Sequence, residues 1–307
     1  MRNHIIDGLT ALAEKDPRIV LMTADLGFGV LEGFQKKYPQ RYVNCGIAEQ
    51  NMASVAAGMA LEGDMVFMYS IGNFPTLRCL EQIRNNICYH NANVKILAVG
   101  GGFSYGSLGM THHATEDISI MRTLPNMRVY APADPNEAEK VLQEIHDISG
   151  PCYVRLARGG DPILYESRIS DLSAPIEIVH GTEVALLAAG TILSEAQKAA
   201  AELSTMGIST AVYSCPRIKP LSADSIATIS ESVKLLITVE ENQLAGGFGA
   251  AILEKMFDAQ ATTKVIRIGL DDTFTSVVGN QEYLRKYYQV DSTAIVKRAV
   301  EELRKIK

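Results

Sequence analysis

Short apolar runs rich in β-branched residues recur along this chain, and they do not alternate with polar residues. They occupy residues 19–23, 65–70, 94–99, 127–131 and 153–157, then 184–188, 210–214, 235–239 and 264–268. Successive side chains of a strand point to opposite faces, so a strand that is apolar throughout must be covered on both. The segments between the runs, 195–206 and 248–257 among them, carry apolar residues at helical spacing. Strands buried on both faces and separated by helices predict an α/β fold of two open, mainly parallel sheets.

A length of 307 residues exceeds one ordinary domain and suits two. The pattern breaks near 162–180, where Pro162, Ser167, Ser170, Ser173 and Pro175 are mixed with charges. This predicts a first domain at 1–165, a linker at 166–178 and a smaller domain at 179–307. The net charge of −6 and the lack of a basic run argue against a nucleic-acid partner. Cys45, Cys79, Cys88, Cys152 and Cys215 show no CxxC spacing, so they read as small buried residues in a reducing compartment rather than a zinc or disulfide framework. No apolar run approaches the roughly 20 residues that span a bilayer. The N-terminus also lacks an apolar leader, so the expected location is cytoplasmic, with no membrane partner.

The segment richest in chemistry is Arg41-Tyr-Val-Asn-Cys-Gly-Ile-Ala-Glu-Gln-Asn-Met52. A strand leads into Gly46 and a helix begins near Ala48, which sets Glu49 at the carboxyl end of a strand, where open α/β sheets hold ligands. On position alone, Glu49 is equally a first-turn glutamate favoured by the helix dipole. Asp25 follows the first strand, as a turn or capping aspartate would. His112 and His113 lie in a Gly- and Ser-rich loop, residues 100–115, where an exposed histidine is the plain reading, for His113 above all. No second ligand cluster accompanies them, so a zinc site is not expected. Arg158 follows another strand, and Arg155 is expected to point elsewhere.

Gly46-Ile-Ala-Glu-Gln-Asn-Met52 resembles the G-x-A/R-E-x-x-M motif of the pyrimidine domain in transketolases, deoxyxylulose-phosphate synthases and the beta subunits of 2-oxo acid dehydrogenases. Further fragments fall in the family's order: Thr23-Ala-Asp-Leu26, Gly109-Met-Thr-His112, Leu124-Pro-Asn-Met127, Tyr130-Ala-Pro-Ala-Asp-Pro135, Arg155-Leu-Ala-Arg-Gly159, and Val239-Glu-Glu-Asn242 before Gly246-Gly-Phe-Gly249. The chain is thus identified as a member of the transketolase family, dependent on thiamine diphosphate. The resemblance implies that Glu49 contacts N1′ of the cofactor's pyrimidine and favours the tautomer whose 4′-imino group takes the C2 proton. It also implies that Asp25 and Phe74 wall the pyrimidine, that His112 acts at the substrate carbonyl, and that Arg158 grips an anionic or phosphorylated small-molecule substrate. The second domain is implied in dimer contacts. Its glycine cluster lacks GxGxxG spacing and is not a nucleotide loop.

Three departures matter. Ile71 and Leu77 stand where many relatives have aromatic residues around the ring, leaving Phe74. Leu108 stands where ketose-transferring relatives carry an aspartate that reads a donor hydroxyl, so an unusual ketose or a 2-oxo acid is an alternative donor. Gly-Asp-Gly, the family's magnesium and diphosphate motif, is absent from the sequence. The expected Mg2+ ligands therefore lie on a separate N-terminal transketolase subunit, in an α2β2 assembly. The expected activity is two-carbon ketol transfer between sugar-type substrates. The alternatives are acyl transfer from a 2-oxo acid and a non-catalytic subunit that stabilises its partner.

Overall fold

The structure is a computed structural model and describes residues 1–166, 169 and 171–306. Of the expected linker residues, Ser167, Arg168 and Ser170 lie outside these. Its strands are β1 (Ile19–Thr23), β2 (Tyr42–Asn44), β3 (Met65–Ile71), β4 (Val94–Val99), β5 (Arg128–Tyr130), β6 (Cys152–Leu156), β7 (Ile176–Val179), β8 (Val184–Ala189), β9 (Thr210–Ser214), β10 (Arg217–Lys219), β11 (Leu235–Gln243) and β12 (Lys264–Leu270). The first six form a parallel sheet in the order β5-β6-β4-β3-β1-β2. The second sheet runs β12-β11-β8-β9-β7 and is parallel except at β7.

Burial follows the sequence pattern. Every residue of β1, β4, β6 and β8 is buried, as strands covered on both faces require. One face of the first sheet packs on the helices Arg2–Lys15 and Pro135–Asp147 through Ile5, Leu9, Phe67, Leu97, Val141 and Ile145. The opposite face packs on the helix Glu49–Leu61 through Met52, Ala53 and Ala56. These small side chains let that helix lie close to the sheet.

Two strands differ from the sequence-based expectation. β7 begins at Ile176, inside the segment expected as linker, and pairs antiparallel with β9. It is an edge strand with alternating burial, and the search for continuous apolar runs passes over that pattern. β10 leaves the second half of the chain and pairs antiparallel with β5 at the edge of the first sheet. The two halves also share a core. Ala185, Leu187, Leu236, Phe248 and Ile252 of the second half pack in one cluster with Met52, Ile83, Ile118 and Met121 of the first. Residues 179–306 thus interlock with residues 1–165 rather than hang from them.

The junction holds buried polar groups that the sequence pattern does not distinguish. Asp134 caps the helix Pro135–Asp147 by accepting from the Glu137 N–H at 2.9 Å, and Pro135 opens the first turn. The same aspartate accepts from the Leu164 N–H at 3.1 Å, which pins the chain as it leaves the first sheet. Glu137 is fully buried. Its carboxyl accepts from the Ala133 N–H at 2.6 Å and from the Tyr165 hydroxyl at 2.7 Å.

Burial pushes the Glu137 carboxyl up from 4.5 to about 7. A carboxyl with a raised native pKa binds its proton more tightly when folded. Its stabilising contribution is therefore whole below about pH 4.5 and is lost as pH rises through about 7. Glu137→Gln is neutral at every pH, so the native chain is expected to lose stability relative to this variant between pH 5 and 8, by about 2–3 kcal/mol. Denaturant unfolding at both pH values measures the gap. A gap that does not change with pH means that Glu137 does not hold a proton.

Candidate active site at the carboxyl ends of the first sheet

All five residues singled out from the sequence follow the carboxyl ends of strands in the first sheet. Asp25 follows β1, Glu49 follows β2, Phe74 follows β3, His112 lies in the loop after β4, and Arg158 follows β6. The β1–β3 register pairs Thr23 with Tyr69, so these two strands end together and their following loops share one rim. The turn from β2 into the next helix passes through Gly46 at φ 68, where the left-handed backbone itself demands glycine. Nothing lies within 4 Å of a Cβ built there, so space is not the reason. Asn44 ties this turn to Asp25. Its Oδ1 accepts from the N–H groups of Asp25 (2.9 Å) and Gly46 (3.0 Å), and its Nδ2 donates to Asp25 Oδ1 (3.2 Å).

Glu49 is the first residue of its helix and only 2% exposed, which is unusual for a carboxyl without a buried counter-charge. Its partner is Arg78, whose Nη1 donates to Glu49 Oε2 at 2.8 Å from a side chain that is 45% exposed. The Arg78 guanidinium also lies over the Phe74 ring, 4.5 Å from its centroid. The Gln50 side chain donates to the Arg78 carbonyl at 3.0 Å. Phe74 in turn meets the His112 ring edge to face, with centroids 5.4 Å apart. Glu49, Phe74 and His112 thus form one continuous cluster around Arg78. Asp25 is not part of it and stays at the rim, against Asn44.

The cluster extends through Tyr105. Its ring centroid lies 6.5 Å from that of His112 and 5.5 Å from the Arg158 guanidinium. Gly100 makes room for this ring, since a Cβ there would overlap it. Arg155 does point elsewhere and is buried. Its Nη2 donates to the carbonyls of Ala114 (2.6 Å) and Glu241 (2.7 Å), and its Nε pairs with Asp117 at 3.2 Å. His113 is not an exposed loop residue. It is 1% exposed, with Nδ1 against the Thr275 hydroxyl at 2.7 Å and Nε2 against the Gly106 carbonyl at 3.0 Å. Both ring nitrogens are thereby satisfied, and the His112 loop is fastened to the second half of the chain.

Arg78, Tyr105 and Asn44 were not singled out from the sequence. The Phe74–Arg78 spacing of four, an aromatic followed by a cation, is the one local signal that would have drawn attention to Arg78. In the second half, Glu240 accepts from the N–H groups of Phe248 (2.6 Å) and Gly249 (2.8 Å). The helix start after Gly246-Gly247 is therefore already occupied by the chain's own carboxylate. Among the described residues, no helix is long and apolar enough to cross a membrane.

Residues 1–160 match the family profile for the transketolase pyrimidine-binding domain, and residues 174–295 match that for the transketolase C-terminal domain. A putative transketolase C-terminal section from Methanocaldococcus jannaschii is 36% identical over 99% of this chain and 96% of that protein. One of the subunits of an apulose-4-phosphate transketolase from Phocaeicola vulgatus is 34% identical over 99% of this chain and 97% of its own length. Among solved structures, a split-gene transketolase described as an inactive beta4 tetramer superposes with a TM-score of 0.90. It is 31% identical and covers all of this chain, which covers 98% of it. The chain therefore belongs to the transketolase family, of which it carries the pyrimidine-binding and C-terminal domains.

Proposed function

We propose that this chain is the pyrimidine-binding subunit of a thiamine-diphosphate-dependent transferase that moves a two-carbon ketol unit between sugar-type substrates. A separate chain completes it by bringing the magnesium and diphosphate site. The observation that carries this reading is the near-complete burial of Glu49 beside Phe74 and His112, at a strand end open to ligands. These residues fit an aminopyrimidine. Glu49 Oε1 has no hydrogen-bond partner among the described residues, so the carboxyl retains an acceptor for a ring nitrogen, and Phe74 supplies an aromatic wall.

Bound thiamine diphosphate supplies the electron sink for breaking and remaking the bond next to a carbonyl. Glu49 holds or shares a proton at the ring nitrogen. His112, its Nδ1 against the Thr111 hydroxyl at 3.0 Å, presents its other nitrogen to the substrate oxygen. Phe74 and Tyr105 keep water from its two sides, and exposed Arg158 meets an anionic group at the outer end.

The subunit reading is supported by relatives that this chain matches over 96% and 97% of their length and that are named as one section or one subunit of a transketolase. Its test is reconstitution with the companion chain that carries Gly-Asp-Gly, followed by transfer assays with ketose phosphates, thiamine diphosphate and Mg2+. Turnover by this chain alone would defeat the subunit reading. Leu108, 52% exposed at the tip of the His112 loop, favours one second reading, transfer from a 2-oxo acid such as pyruvate. A leucine accepts no hydrogen bond from a donor hydroxyl. Pyruvate belongs in the same assay.

Arg158→Ala is expected to raise KM for phosphorylated substrates about 10–100-fold and to change kcat little, because a charge-assisted contact remote from the reacting carbon is made equally in ground and transition states. Steady-state kinetics with a phosphorylated and an unphosphorylated donor separate the effects. Equal losses on both donors would remove Arg158 from anion recognition.

A further inference from the structure

A carboxyl that must meet one ring atom has two oxygens, and a free glutamate presents either. In this structure the choice is already made. Arg78 holds Oε2 of Glu49 at 2.8 Å, and Oε1 has no partner among the described residues. Two contacts brace the guanidinium, the carboxylate and the Phe74 face at 4.5 Å, and the Gln50 side chain fixes the Arg78 backbone through its carbonyl. A planar fork fixed on an aromatic face holds a carboxylate oxygen in one direction better than a lysine ammonium can.

We propose that Arg78 is the positioning residue of this site: it holds Oε2 of Glu49 and so presents Oε1 to the ring nitrogen of the bound aminopyrimidine. The proposal rests on the reading above, that Glu49 faces the ring. It adds that the geometry of that contact is set by a cation, one that itself rests on the Phe74 ring. Arg78 moves no proton in this scheme. It orders the group that does, and it compensates the charge that burial of Glu49 would otherwise leave alone.

The test uses the full chain in its native assembly, titrated with thiamine diphosphate and Mg2+. Binding is followed by calorimetry, and the orientation of the bound ring by near-ultraviolet circular dichroism. Arg78→Gln is expected to bind about 10–100-fold more weakly and to lose the native dichroic band, while Arg78→Lys recovers part of both. Thermal unfolding is expected to stay near the native value in Arg78→Lys and to fall by about 2–5 °C in Arg78→Gln, which leaves the buried Glu49 carboxyl without its cation. Native affinity and an unchanged band in Arg78→Gln overturn the proposal. So does a loss that lysine does not relieve and that a lower melting temperature accompanies in both variants, since that result describes folding rather than positioning. Glu49→Gln separates the parent reading. If that variant too keeps the native band and affinity, Glu49 does not face the ring, and the proposal falls with it.

Discussion

Glu49→Ala is expected to lower turnover by about 10²–10⁴-fold and to leave the chain folded and assembled. The size follows from the proposed role, in which this one carboxyl makes the proton contact to the cofactor, and no other described acid lies in the Phe74–His112 cluster. The stability side follows from exposure. Removing Glu49 leaves Arg78 unpaired, but that side chain is half-exposed and finds water, so no charge is stranded in the interior. The variant also relieves the chain of a buried carboxyl that the fold itself does not need. Its melting temperature is therefore expected to equal or exceed the native value, as is common where a site is built against stability. Transfer rates and thermal unfolding of the same preparation measure both halves. A Glu49→Ala chain that assembles and keeps full activity would establish the non-catalytic reading of this subunit. A chain that fails to fold would show that Glu49 is a structural residue.

Much of the fold was legible because the physics that builds it leaves a mark in the sequence. β1, β4, β6 and β8 are buried on both faces, and a strand so placed has no position for a polar side chain except where a specific partner waits. Lys95 in β4 is such a case, its Nζ donating to the carbonyls of Ile148 and Gly150. β7 and β10 were not legible. They are edge strands of four and three residues whose pairing is decided by what lies beside them, not by their own pattern.

The site divides in the same way. Glu49, His112 and Arg158 could be named because each follows a strand end within a recognisable motif, and Phe74 because it is the aromatic left in the segment after β3. Arg78 and Tyr105 act across loops, through contacts to Glu49, Phe74, His112 and Arg158 that no local spacing dictates. His113 was misjudged because its burial depends on Thr275, which is 162 residues away.

Arg155→Met is expected to be the most destabilising of these substitutions, at about 3–5 kcal/mol. Arg155 and Arg158 stand three residues apart at the end of β6, and burial divides their work. Arg155 is 6% exposed and faces Asp117, which is fully buried and also accepts from the Tyr153 hydroxyl at 2.5 Å. Methionine matches the volume of the aliphatic stem but leaves Asp117 as a buried carboxylate with no cation. It also removes the Arg155 donor from the carbonyls of Glu241 and of Ala114, the latter keeping only the Gly102 N–H. A fall in melting temperature of about 5–15 °C follows for a chain of this size. Activity should fall further than stability alone explains. Arg155 lies against Gly101 at the start of the His112 loop and binds Ala114 at its end, so one side chain clamps both ends of the loop that carries His112. The double variant Arg155→Met, Asp117→Asn removes the stranded charge and is expected to recover part of the stability and little of the activity. Denaturant unfolding and transfer kinetics on the single and double variants decide the matter. A single variant within about 1 kcal/mol of native, or a double variant no more stable than the single, would mean that the Arg155–Asp117 pair does not hold this loop.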